Sequence, residues 1–170
     1  MIVSDAACGE ANPVDPGLEL AAASALYDPG WTFYLSPPAT VRVVGDAGRA
    51  HTGTGLLELV ATHACDNGSA TSSIRVPAPT ATEGPALKFW ANVGVNPNTT
   101  TRVTGVAADL PEGGGWQEHT GCLDPALAGR PAAISVGMYG GSGLCGGTAF
   151  TESALFDDFR VTTDPSCPTM

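Results

Sequence analysis

Three tryptophans are the side chains best suited to contact a ligand: Trp31, Trp90 and Trp116, with Tyr27, Tyr34 and Tyr139 beside them. An aromatic face stacks on the apolar C–H face of a sugar ring, whose hydroxyls then need amides and charges nearby. The order Lys88-Phe89-Trp90-Ala91-Asn92 puts a cation, an indole and an amide on one side of a strand. Lys88, Trp90 and Asn92 are therefore the leading candidates for ligand contact, and Trp31 is the fourth. The competing reading of Trp90 is an indole packed beneath a loop. Trp116 follows Gly113-Gly114-Gly115 and is read as the anchor of that loop to the core.

Other reactive side chains point away from catalysis. His51, His63 and His119 lack the usual zinc-ligand spacings. No Gly-x-Ser-x-Gly elbow occurs. Asp157 and Asp158 are adjacent on an expected strand, so they point to opposite faces and cannot act together as a glycosidase pair. Gly140-Gly141-Ser142-Gly143 opens no helix, so it is a hairpin and not a phosphate cradle. The chain is expected to be non-enzymatic.

The elements that would carry these residues are strands. Leu87–Val95 alternates, with Leu87, Phe89, Ala91 and Val93 on one face. Gly55–Thr62, Ala70–Val76, Thr101–Ala107, Trp116–Thr120, Ala132–Tyr139 and Ala154–Thr163 follow the same period. Thr101–Ala107 would turn Val103 and Gly105 inward. Leu18–Ala25, Trp31–Leu35, Thr40–Val44 and Thr148–Phe150 complete nine or ten short strands. Asp66-Asn67-Gly68 reads as a tight turn between two of them, and Leu123–Ala128 as one helical turn. Helix–strand alternation is absent, so the expected class is all-β: a two-sheet antiparallel β-sandwich of the jelly-roll kind. Residues 1–16 (Met1 to Pro16) read as an extended lead-in, and residues 17–170 as a single domain.

Composition agrees. The 170 residues include 22 Gly and 14 Pro, and only 14% are charged, which suits many strands and turns. The net charge is −10, so nucleic acid is an improbable partner, as is an anionic membrane surface. No stretch of about twenty apolar residues would insert into a membrane. The cysteines are Cys8, Cys65, Cys122, Cys145 and Cys167, with no C-x-x-C pair. Spread cysteines in a Gly/Pro-rich β protein suit disulfides in an oxidising compartment, secreted or at the cell surface. The start, Met1-Ile2-Val3-Ser4-Asp5, has no signal-peptide pattern, and the chain reads as a mature domain of a larger exported protein. Cys122 and Cys145 flank one strand, and Cys8 and Cys167 lie near the termini. Those two pairings leave Cys65 as a free thiol, or else the pairing differs.

Several landmarks fall in a familiar order. They are Asn12 to Glu19, Trp31, His51-Thr52-Gly53-Thr54-Gly55-Leu56-Leu57-Glu58-Leu59, and Phe156-Asp157-Asp158-Phe159-Arg160-Val161. Together they resemble the carbohydrate-binding modules with a galactose-binding-domain-like jelly roll. Leu18 stands where that family has an aromatic. The resemblance implies two antiparallel sheets and a structural Ca²⁺ between the first and last strands. Glu19 and Asp157 match its carboxylates, and carbonyls of the Thr52–Thr54 loop would complete it. By strand parity Asp157 faces inward with Leu155, Phe159 and Val161, which is costly unless it is paired or binds a cation. The alternative is that Asp157 caps a loop or pairs with an arginine.

The expected function is that of a non-catalytic extracellular binding module, with a glycan or neighbouring domains of a larger exported protein as partners. The alternative is a structural or adhesive surface domain, a subunit of an extracellular assembly, without a small ligand.

Overall fold

The computed structural model describes residues 18–19, 30–36, 40–106, 110–140 and 149–170. Nine strands are found among them: β1 (Trp31–Ser36), β2 (Thr40–Gly45), β3 (Gly55–Ala61), β4 (Asn67–Arg75), β5 (Gly84–Val93), β6 (Thr99–Thr104), β7 (Gln117–Cys122), β8 (Pro131–Gly140) and β9 (Glu152–Asp164). They form a four-stranded sheet, β1-β4-β8-β6, and a five-stranded sheet, β2-β3-β9-β5-β7, with antiparallel neighbours throughout. This is the expected β-sandwich. One 3-10 turn, Pro125–Leu127, stands where a helical turn is expected, its Ala126 amide donating to the Asp124 carboxylate. The lead-in at 1–16, most of the Leu18–Ala25 strand and the hairpin at 141–147 lie outside the described residues.

The core is what period-two alternation dictates. Leu87, Phe89, Ala91 and Val93 of β5 point between the sheets. From the other sheet Ala70, Ile74, Val103, Ile134, Val136 and Met138 meet them. Phe89, Phe156 and Phe159 form the aromatic centre, with ring centroids 5.8–6.4 Å apart.

Four details depart from the sequence reading. First, β9 is bulged. Lys88 pairs with Arg160 but Trp90 pairs with Asp157, so β9 carries an extra residue there. Asp158 takes a left-handed φ of 52°, a conformation that aspartate tolerates better than most residues. The bulge reverses the parity of the strand. Phe156 and Phe159 both face the core, and Asp157 turns to the outer side with Trp90. Asp157 is thus buried, but not against the core.

Second, Asn67 and Gly68 are not the corner of a hairpin. They open β4, and β3 and β4 belong to different sheets. The chain crosses between sheets at 62–66, where the Asp66 carboxylate accepts from the Thr62 and His63 amides. Third, Gly105 is exposed, at φ 90°, and not inward; a Cβ there would come within 2.5 Å of the Ala133 carbonyl. Ala149 and Phe150 likewise lie outside any strand.

Fourth, the cysteine pairing differs. Cys122 bonds Cys167, with Cα atoms 5.3 Å apart, and Cys65 is itself disulfide-bonded. The expected Cys122–Cys145 and Cys8–Cys167 pairs and the free Cys65 are therefore corrected; Cys8 and Cys145 lie outside the described residues. The reason is register. Cys122 sits opposite Ala86 of β5, and Gly84 sits opposite Asp164 of β9. The end of β7 and the segment after β9 thus meet at one end of β5. Proximity across a sheet, not along the chain, sets the bond.

Candidate functional site

Two sheet faces point away from the core, and they differ in what covers them. The outer face of the five-stranded sheet holds Lys88, Trp90 and Asn92 together, as their spacing requires. A loop at 46–54 lies over it. His51 stacks on Trp90, with centroids 3.8 Å apart and planes 13° apart, and meets the edge of Trp116 at 5.8 Å. Its Nδ1 lies 2.7 Å from Asp158. Trp116 donates its indole N–H to the Arg49 carbonyl. Glu58, only 5% exposed, is held by Arg42 and Arg49. Burial pushes its carboxyl up, but the two guanidinium groups prevail and hold it below the usual carboxylate range. Lys88 is 2.7 Å from Asp164. Trp90 therefore packs beneath a loop, the competing reading of this residue. Trp31 is elsewhere: it is 4% exposed and tilts against Phe159 at 4.8 Å, so it is a core residue and offers no face to a ligand.

Glu19 and Asp157 both bind that same loop, Glu19 at Thr54–Gly55 and Asp157 at His51–Thr52. Glu19 accepts from the Thr54 and Gly55 amides and the Thr54 hydroxyl, which holds its carboxyl below the ordinary value. Asp157 accepts from the His51, Thr52 and Asp158 amides. Burial raises its carboxyl to about 6, with a further push from the neighbouring Asp158, against the pull of those amides. The Thr52 hydroxyl donates to Asp158. The loop is thus gripped by a carboxylate at each end. Among the described residues no group of three or more His, Cys, Asp or Glu side chains is placed to hold a metal ion. Two carboxylates and the loop's own oxygens are the donors present.

The outer face of the four-stranded sheet is different. Strand register puts Tyr34, Ser69, Gly137 and Arg102 in one row, and Ser36, Asn67, Tyr139 and Thr100 in the next. Tyr34 is 64% exposed. The Tyr139 ring leans over Gly137: a Cβ on that glycine would come within 2.5 Å of the phenol oxygen. Only a residue without a side chain leaves room for this. Tyr34 thus shares a row with Ser69 and Arg102, and the Tyr139 ring reaches into that row over Gly137, flanked by Thr32, Thr71, Ser135 and Thr104. Tyr34 and Arg102 are separated by three strand spacings, roughly 14 Å. Rings bordered by hydroxyls, an amide and a guanidinium supply what a sugar needs. Sequence reasoning named these tyrosines but did not place them. The signal was available in the hydroxyl-rich alternation of Asn67–Arg75 and Thr99–Thr104.

No protein-family model and no curated protein matches this chain. Among solved structures, the chain aligns with the enzymatically active domain of bacteriophage CBA120 tailspike protein 4. The TM-score is 0.57 at 15% identity, over 91% of this chain and 22% of that one. It also aligns with one of the carbohydrate-binding modules of the β-sandwich superfamily, described for their promiscuous specificity. The TM-score is 0.54 at 13% identity, over 91% of this chain and 63% of that one. The chain shares their fold. It spans less than two thirds of the length of either chain. The likeness to the β-sandwich module accords with the jelly roll expected from the landmarks.

Proposed function

We propose that this chain is a non-catalytic module that binds carbohydrate on the outer face of its four-stranded sheet, with Tyr34 and Tyr139 as stacking surfaces. The observation that carries the reading is the exposed Tyr34 in one row with the Tyr139 ring laid over Gly137, among hydroxyls. A protein-docking surface would call for a contiguous apolar patch, and this face is mostly Ser, Thr and Asn. The fold of the β-sandwich modules supports the reading. The disulfides fit an extracellular setting, with neighbouring domains of a larger exported protein as partners. Among the described residues no helix is long and apolar enough to cross a membrane.

Calcium belongs to the same proposal, as a structural ion. Glu19 and Asp157 would supply carboxylate oxygens, with the Thr52–Thr54 carbonyls beside them. What supports this is that Asp157, fully buried next to a second carboxylate, has only uncharged amides as partners among the described residues.

A glycan array with wild type, Tyr34→Ala and Trp90→Ala tests the function. Tyr34→Ala is expected to weaken binding about tenfold or more, about 1.4 kcal/mol, without changing the melting temperature. Trp90→Ala is expected to lower stability and leave affinity in place. Binding that survives Tyr34→Ala, or no binding by the wild type, refutes the reading.

A further inference from the structure

The two sheets divide the chain's charge unevenly. Among the described residues, every carboxylate carried by a strand lies on the five-stranded sheet: Glu58, Glu118, Glu152, Asp157, Asp158 and Asp164. The strands of the four-stranded sheet carry two arginines, Arg75 and Arg102, and no carboxylate. In a chain of 17 acidic and 7 basic residues this face is an exception to the overall charge.

Arg102 stands out within it. Arg42, Arg49, Lys88 and Arg160 all pair with carboxylates. Arg75 donates to the Gly129 carbonyl. Arg130 lies outside the strands, just before β8. Arg102 is exposed, sits in the row of Tyr34 beside the row of Tyr139, and has no carboxylate partner among the described residues. Its neighbours on the face, Thr100, Thr104 and Ser135, are uncharged and cannot neutralise it. A guanidinium left open beside stacking rings, on a face free of repelling acids, is arranged to receive an anion in the plane of its fork.

We propose that the glycan taken by this face is acidic: a sugar bearing a carboxylate, which Arg102 holds while Tyr34 and Tyr139 stack on its rings. This rests on the tyrosine face being the binding surface. It goes further in naming the ligand's charge. The strand carboxylates belong to the other sheet, and Glu152, which reaches the start of β6, is buried and accepts from Asn98 and Thr99. Binding should weaken as salt is added, since an exposed pair is screened.

The test is calorimetric titration of the intact chain with tetragalacturonate and with oligomannuronate. Each is compared with its carboxyl-reduced, neutral counterpart at low and high salt. The proteins are wild type, Arg102→Gln, Arg102→Lys and Tyr34→Ala. Wild type is expected to prefer an acidic form over its reduced counterpart by roughly tenfold to a hundredfold, the range of a hydrogen bond to a charged group. Arg102→Gln should remove that preference, lowering the acidic form's affinity by much more than the neutral form's. Arg102→Lys should restore part of it. Tyr34→Ala should weaken both forms. If the neutral forms bind as tightly, or the preference survives Arg102→Gln, the charge proposal is overturned while a Tyr34-dependent platform stands. If no acidic or neutral sugar binds and the array is also blank, the platform falls with it.

Discussion

Trp31 was a candidate for ligand contact and is instead a core residue, and the difference can be measured. Its ring tilts on Phe159, yet its indole N–H is buried without a hydrogen-bond partner among the described residues. Burying an unpaired donor costs free energy that the ring's packing must offset. Trp31→Phe removes that donor while keeping an aromatic. It is therefore expected to cost clearly less than the alanine variant, since most of the ring packing stays and no unpaired donor remains. Trp31→Ala leaves a cavity and is expected to cost about 3–5 kcal/mol. Urea unfolding of the two variants decides it. A Phe variant as unstable as the Ala variant would mean that the N–H does have a partner. Tyr34 makes the opposite case. It follows Phe33, which packs against the core, and that single step in parity turns it to the exposed face.

At the scale of elements, the alternating runs were legible because burial on one face leaves a period-two record. Leu87–Val93 and Ala132–Tyr139 fall where that record puts them. The bulge in β9 was not legible. Leu155-Phe156-Asp157-Asp158-Phe159 scans as unbroken alternation with Asp157 inward, and only pairing with β5 reveals the extra residue. For the same reason the site was half legible: Glu19 and Asp157 both bind the loop that carries Thr52, but Asp157 reaches it from the outer face. Trp90's cover by His51 depends on where a loop folds back, which no local pattern encodes. Gly53 tests that loop. Its φ is 60°, and a Cβ there would come within 2.0 Å of the Glu19 carboxylate. Gly53→Ala therefore adds left-handed strain of about 1–2 kcal/mol and pushes Glu19 off the Thr54 and Gly55 amides. In a Glu19→Ala background only the strain remains, so the two substitutions should be non-additive in a double-mutant cycle read by chemical denaturation. Additive costs would mean that Glu19 does not grip the loop.

For the whole molecule, the loop at 46–54 matters because of what it joins. Glu19 near the start of the chain, the loop itself and Asp157 on β9 are far apart in sequence, and the loop fastens to both carboxylates, one at each end. A cation held there would bind the folded chain alone, since the unfolded chain does not bring these groups together. Such a ligand adds about 2.7 kcal/mol at a concentration one hundred times its dissociation constant. For a domain of this size that corresponds to a rise of about 5–10 °C in melting temperature. The Cys122–Cys167 bond works independently at the opposite chain segments. It closes a loop of 45 residues, for which chain entropy supplies about 4 kcal/mol. The sandwich should thus remain folded at 25 °C when calcium is chelated, and lose only part of its thermal margin. Scanning calorimetry under non-reducing conditions, with EDTA and then with excess Ca²⁺, gives the answer. A melting temperature that falls in EDTA, returns with Ca²⁺ and no longer responds in Asp157→Asn supports the ion at this loop. An unchanged temperature would mean that amide hydrogen bonds alone hold the three segments together. The buried Asp157 would then be a stability cost that the fold carries without a metal.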